Sequence, residues 1–167
     1  MILAVHSVVG AAIANQFSFR WWSYPLAFLS HFLLDLIPHR EYSLEGLKFG
    51  WRKKSFWLVV IKVFFDLFSG IIFIILFTKN LNNLFYVFLG AFFAVLPDGL
   101  SLISWLMKNQ NFFRLFKGEK LEIFDEGEVP FYYKIQLALH FDKKNPPPLT
   151  LGILNQLIIF LTALALL

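Results

Sequence analysis

The feature that most constrains this chain is the run from Ser55 to Thr78, which carries only two charges, Lys62 and Asp66. As a helix it would rise about 36 Å at about 1.5 Å per residue, enough to cross a hydrocarbon core of about 30 Å. A water-soluble domain can bury one such helix in its centre. It cannot bury several, and further apolar runs cover residues 2–16, 21–38, 83–107 and 149–167. Hydrophobic residues make up 58% of the chain and charged residues 16%, against about 45–50% and about 25% in soluble domains. Too little polar surface remains to enclose a sphere of this size. The sequence therefore predicts an all-α, single-domain integral membrane bundle over residues 1–167, with about five transmembrane helices over the runs just named. Residues 131–141 are apolar but too short to span, and predict an interfacial or re-entrant helix. Asn145-Pro146-Pro147-Pro148 ends it, because prolines supply no helix N–H groups. There is no cysteine, which excludes disulfides, thiolate metal sites and cysteine nucleophiles.

Met1–Gln16 carries no Lys or Arg, unlike the basic start of a secretory signal, and reads as a retained first helix. Basic residues elsewhere give the orientation. Arg40, Lys48, Arg52, Lys53 and Lys54 follow the second run, and seven more, from Lys108 to Lys144, follow the fourth. Only Arg20 and Lys79 lie in the opposite loops. By the positive-inside rule the basic side is cytoplasmic, so the N-terminus is expected there, with the C-terminus across an inner membrane. The net charge of +4 is accounted for by these loops, and no nucleic-acid partner is expected.

Against this apolar background, seven ionisable residues stand inside the runs or at their ends: His6, His31, Asp35, His39, Asp66, Asp98 and His140. A carboxylate facing lipid at the bilayer centre costs about 2.5–3.5 kcal/mol on the most lenient scale. Lys62 can neutralise one of the three aspartates at most, so the others must be protonated, hydrated or metal-bound. His31 and Asp35 stand at i and i+4, on one helix face, and His39 follows just past Pro38. Pro97-Asp98-Gly99 predicts a break in the fourth run, tolerated only inside protein or beside a wet cavity. With the orientation taken from Lys and Arg alone, all seven can meet in the cytoplasmic half of the membrane.

Simpler roles exist for each residue taken singly. His6 or His140 alone suits an interfacial side chain. Asp66, one turn from Lys62, suits a buried ion pair, and Asp98 beside Gly99 suits a helix cap. Taken together, imidazoles and carboxylates are the donors of hydrolytic zinc and other divalent-metal sites. Seven candidates exceed the three ligands of a lone catalytic zinc. They suit one or two ions with a bridging or outer carboxylate. His6, His31, Asp35, His39, Asp98 and His140 are the candidate ligands, and Asp66 the candidate general base.

The stretch Ser30-His31-Phe32-Leu33-Leu34-Asp35-Leu36-Ile37-Pro38-His39, together with Leu96-Pro97-Asp98 and His6-Ser7-Val8-Val9-Gly10, resembles the YdjM-like family of small inner-membrane metal-dependent hydrolases. That family is distantly similar to zinc-dependent phospholipase C and to single-strand-specific nucleases, which are helical and build multi-metal sites from HxxxD helices. The resemblance implies that His6, His31, Asp35 and Asp98 are metal-site residues. It departs where Gly99, Leu100 and Ser101 follow the Pro-Asp pair, since family members often continue with another Asp and a His.

The expected function is a membrane-embedded metal-dependent hydrolase, its metal a divalent ion such as zinc. Its substrate would be a phospholipid or another lipid phosphoester. The alternatives are a proton- or metal-coupled transporter and a metal-binding membrane protein without turnover. The transporter lacks the paired inverted repeats such folds carry. A bis-histidine haem protein would leave three carboxylates without a purpose.

Overall fold

A computed structural model describes residues 2–17, 21–107, 111–117, 119 and 147–167. These form α1 (Leu3–Gln16), α2 (Ser23–Asp35), α3 (Lys54–Phe77), α4 (Leu84–Met107), α5 (Asn111–Lys117) and α6 (Leu149–Ala165). Short 3-10 turns at Glu45–Phe49 and Leu81–Asn83 precede α3 and α4. No strand occurs among the described residues. Residues 131–141, expected as an interfacial helix, lie outside them, as does His140.

The helix in the middle is α1, packed by α2, α3, α4 and α6. It can be central because most of its buried residues are small: Ala4, Ser7, Gly10, Ala11, Ala12 and Ala14 are buried, beside Val5, His6 and Val8. Small side chains let helix backbones approach closely, the usual device where burial from water does not drive association. A Cβ on Gly10 would collide with the carbonyl of Gly90 and the methyl of Ala94. One on Gly90 would strike the carbonyl of Gly10 and the methyl of Ala14. This pairing makes α1 and α4 antiparallel and brings His6 level with the turn that holds Asp98. Against α3 the packing is parallel, with Gly70 facing Ala4 and Ser7. Val8, Ala11, Ile74, Val87, Ala91 and Leu164 complete the core.

The larger apolar side chains point outward. Phe64, Phe65 and Leu76 of α3, Phe85 and Phe92 of α4, and Ile158 and Leu161 of α6 are all exposed. Two helical stretches are long and apolar enough to cross a membrane, Lys54–Phe77 and Leu81–Met107. The expectation of about five spans is thus met in part. With 14 and 13 residues, α1 and α2 rise only about 21 and 20 Å, short of the hydrocarbon thickness. The 17 residues of α6 reach about 26 Å.

Two boundaries differ from expectation for definite reasons. The second helix ends at Asp35, not at Pro38. Pro38 has no N–H for the carbonyl of Leu34, which takes the Ile37 N–H instead at 3.1 Å. The predicted break at Pro97 does not occur, since α4 runs on from Leu84 to Met107.

Beyond Asp35 the chain leaves helical structure until Glu45. Polar side chains from α6 fasten this irregular stretch: Asn155 Nδ2 donates to the Pro38 carbonyl (2.9 Å) and Gln156 Nε2 to that of Arg40 (2.6 Å). Gly152 leaves room for the Arg40 side chain, which a Cβ there would meet. Gly152, Asn155 and Gln156 of this largely apolar helix therefore all face the segment carrying His39.

Candidate metal centre

Three helices deliver four side chains to one place. His6 comes from the first turns of α1, His31 and Asp35 from the last turns of α2, and Asp98 from α4. His6 Nε2 lies 3.3 Å from Asp35 Oδ1, and His31 Nε2 lies 3.4 Å from Asp35 Oδ2 and 3.6 Å from Asp98 Oδ1. The two imidazoles stack, with centroids 4.2 Å apart and planes 27° from parallel. His6 and His31 are fully buried and Asp35 is 2% exposed, whereas the Asp98 side chain is 34% exposed. The cluster is closed on three sides and open at Asp98.

The ring nitrogens carry the chemistry. His31 Nδ1 is 3.0 Å from the carbonyl oxygen of Ala94. A carbonyl can only accept, so Nδ1 bears the hydrogen and, in the neutral ring, Nε2 presents a lone pair. That nitrogen faces two carboxylates, an arrangement that needs a proton or a metal cation between them. A metal-ligating histidine shows the same pattern, with its second nitrogen tied to a carbonyl or carboxylate that fixes its orientation. His6 goes further: both ring nitrogens are buried without a hydrogen-bond partner. The close approach of Nε2 to Asp35 is therefore not aligned as a hydrogen bond. A buried imidazole left in this state costs free energy that a bound ion would recover.

Beside this group lies a second one. Asp35, His39 and Glu41 can each place one ligand atom within 4.8 Å of the others, as can His6, His31 and Asp98. His39 repeats the arrangement of His31: Nδ1 donates to the carbonyl of Ile37 at 2.7 Å, and Nε2 faces Glu41 Oε1 at 3.3 Å. Asp35 touches the histidines of the first group and belongs to the second, so its two oxygens lie between the two. It is also the last residue of α2, where the negative end of the helix dipole adds to the attraction for a cation.

Of the residues singled out in the sequence, His6, His31, Asp35 and Asp98 come together, with His39 alongside. Asp66 is placed elsewhere. Its Oδ2 accepts the Leu3 N–H (2.8 Å) and its Oδ1 the Ala4 N–H (3.1 Å), and the Tyr42 hydroxyl donates to Oδ2 at 3.1 Å. It caps α1. The alternative ion pair is not formed: among the described residues none joins Lys62, which is exposed, to Asp66. Burial pushes the Tyr42 phenol up from its ordinary range, and the charge of Asp66 adds to the shift, so the hydroxyl remains a donor. Glu41 was not singled out in the sequence, because it sits among charged loop residues. The signal that could have found it is its place two residues after His39, close enough along the chain for both side chains to reach one point.

No protein-family model matches the sequence, and no curated protein or solved structure is significantly similar to it.

Proposed function

We propose that this chain is a membrane-embedded, metal-dependent hydrolase whose centre opens toward the basic, cytoplasmic side of an inner membrane and whose substrate is a membrane-lipid phosphoester. The observation that carries the reading is His31. Its Nδ1 is committed to the Ala94 carbonyl and its Nε2 is aimed at Asp35 and Asp98. The nitrogen and oxygen donors of His6, His31 and Asp98 would hold a zinc ion, and those of Asp35, His39 and Glu41 would hold a second divalent ion. A divalent ion bound there would supply Lewis acidity and would lower the pKa of a bound water. Around it the chain orients the ligands and keeps water from the buried sides. Asp98 and Glu41, 34% and 38% exposed, are the carboxylates of the two groups that reach the surface, where a substrate would approach.

A lipid substrate is supported by location. An apolar cavity of about 590 Å³ lies between α1, α2 and α6, lined by Val9, Ile13, Leu34, Ile159, Ala163 and Leu166 among others. Leu34, next to Asp35 in sequence, is the lining residue adjoining the donor groups, and the rest of the cavity runs toward Gln16 and Phe17 at the other end of α1. The motif resemblance to YdjM-like hydrolases points the same way.

The test is metal content by mass spectrometry on protein purified in detergent without chelator, for wild type, His31→Ala and Asp35→Asn, followed by release of phosphate-bearing headgroups from mixed lipid vesicles. We expect one or two equivalents of divalent metal in wild type, depletion in both variants, and turnover lost with the metal. A metal-free wild type would sink the reading. Bound metal with no lipid turnover would leave a metal-binding membrane protein that is not a hydrolase.

A further inference from the structure

The start of α1 is an unusual place for a helix to begin. Its flanking residue, Ile2, offers no side-chain cap. Leu3 and Ala4 meet Asp66, which lies midway along α3, so α1 starts level with the middle of a helix long enough to cross a membrane. In such surroundings each backbone N–H without a partner costs several kcal/mol. Asp66 takes both of these N–H groups from more than sixty residues away in sequence. His6 follows within the first turns, its own N–H reaching back to the Ile2 carbonyl at 3.5 Å. Any displacement of the α1 start therefore moves the His6 imidazole.

The same carboxylate also holds the other half of the cluster. Tyr42 donates to Asp66 Oδ2 at 3.1 Å, and Tyr42 directly follows Glu41, with His39 three residues before it. Asp66 thus joins the element that presents His6 to the segment that presents His39 and Glu41. Its own helix, α3, contributes nothing to either donor group.

Resting on the metal-centre reading above, we infer that Asp66 is a positioning residue for the centre: by capping α1 and anchoring Tyr42 it sets the separation of His6 from the His39–Glu41 segment. This replaces the general-base role expected from the sequence. A cap serving stability alone would give the same hydrogen bonds, and the two differ in whether the effect of Asp66 on metal binding passes through His6.

A double-mutant cycle on the full chain in detergent, loaded with cobalt(II), decides this. The cycle compares wild type, Asp66→Asn, His6→Ala and the double variant, reading cobalt affinity by chelator competition together with the visible absorption of the bound ion. Asp66→Asn should weaken cobalt binding about 10–100-fold, the range for residues that orient metal ligands, and shift the absorption bands. In the His6→Ala background the same substitution should cost several-fold less than in wild type, the remainder passing through Tyr42 to the His39–Glu41 segment. Equal losses in both backgrounds, or an unshifted spectrum, overturn the inference while leaving the metal centre standing. A wild type that takes up no cobalt overturns the centre and the inference with it. If Asp66→Asn does not fold, Tyr42→Phe, which spares both backbone bonds, carries the test with His39→Ala as its partner. Loss confined to chains that retain His39 supports the inference, and equal loss with and without His39 overturns it.

Discussion

His31 donates from Nδ1 to the Ala94 carbonyl at 3.0 Å, and its Nε2 lies 3.6 Å from Oδ1 of Asp98, one turn further along the same helix. One helix thus both orients the imidazole and supplies its carboxylate partner. Asp98→Asn keeps the size and shape of the side chain and removes its charge. We expect it to lower zinc affinity at least tenfold, because a ligand contributes no less than the about 10–100-fold of an outer-shell partner. Zinc titration against a chromophoric chelator measures this. Affinity unchanged from wild type would remove Asp98 from the centre.

The two donor groups, His6–His31–Asp98 and Asp35–His39–Glu41, differ in burial and should lose metal separately. Glu41 is the most exposed member, so Glu41→Gln should release one ion and leave the other, lowering stoichiometry without abolishing it. His31→Ala should empty the buried group. Metal removal should also destabilise the fold. A ligand present at about 100 times its Kd adds about 2.7 kcal/mol, so EDTA should lower the melting temperature in detergent and zinc should restore it. Equal melting curves with and without chelator would contradict a structural contribution from the ion.

The contact between α1 and α4 can be tested without touching the donors. Valine at Gly10 or Gly90 must push two backbones apart, and overpacking of this kind costs about 1–3 kcal/mol. Because α1 also carries His6, metal affinity should fall in parallel. Gly99 is the control: a Cβ there meets nothing within 4 Å, and alanine should be neutral or stabilising by up to about 1 kcal/mol through helix propensity. Thermal unfolding of the three variants separates the cases. A Gly99→Ala protein as unstable as Gly10→Val would mean the close packing is not what holds α1.

Much of the centre was legible in the sequence because charge is so scarce there. His31 and Asp35 at helical spacing, with His6 and Asp98 isolated in apolar runs, stood out as a set, and all four converge. What the sequence concealed was depth. Nothing in Leu3–Gln16 marks it as a short helix that starts midway along α3. The residue that reveals this is Asp66, which in sequence has only Lys62 as a neighbouring charge and so reads as an ion pair or a base. Its partners are two backbone N–H groups, which carry no sequence signature, and the Tyr42 hydroxyl 24 residues away. Pro97 misled for a related reason: a proline lost from the hydrogen-bond ladder predicts a break, yet packing of α4 on α1 and α2 carries the helix through. Glu41 was hidden among loop charges, where its alignment with His39 depends on backbone that Asn155 and Gln156 fix from the far end of the chain.

The ends of the bundle give the last prediction. The Lys79 N–H donates to the Leu167 carbonyl at 3.3 Å, and Asn15 Nδ2 reaches the same oxygen at 3.0 Å. The ends of α1, α3 and α6 therefore meet at one pole, with Lys53 and the start of α3 at the other. If the chain lies in a membrane with its basic loops in the cytoplasm, the two poles face different compartments. The absence of native cysteine makes each introduced thiol the only one to read. Lys53→Cys should react with an impermeant maleimide only when the cytoplasmic face is opened, and Lys79→Cys only from the outside of intact cells. Both positions are exposed, so failure to label would not come from burial. The opposite pattern, Lys53→Cys labelled from outside and Lys79→Cys only after opening, would reverse the orientation and the assignment of the open face at Asp98 to the cytoplasm. Labelling of both from the same side would overturn the placing of the two poles in different compartments.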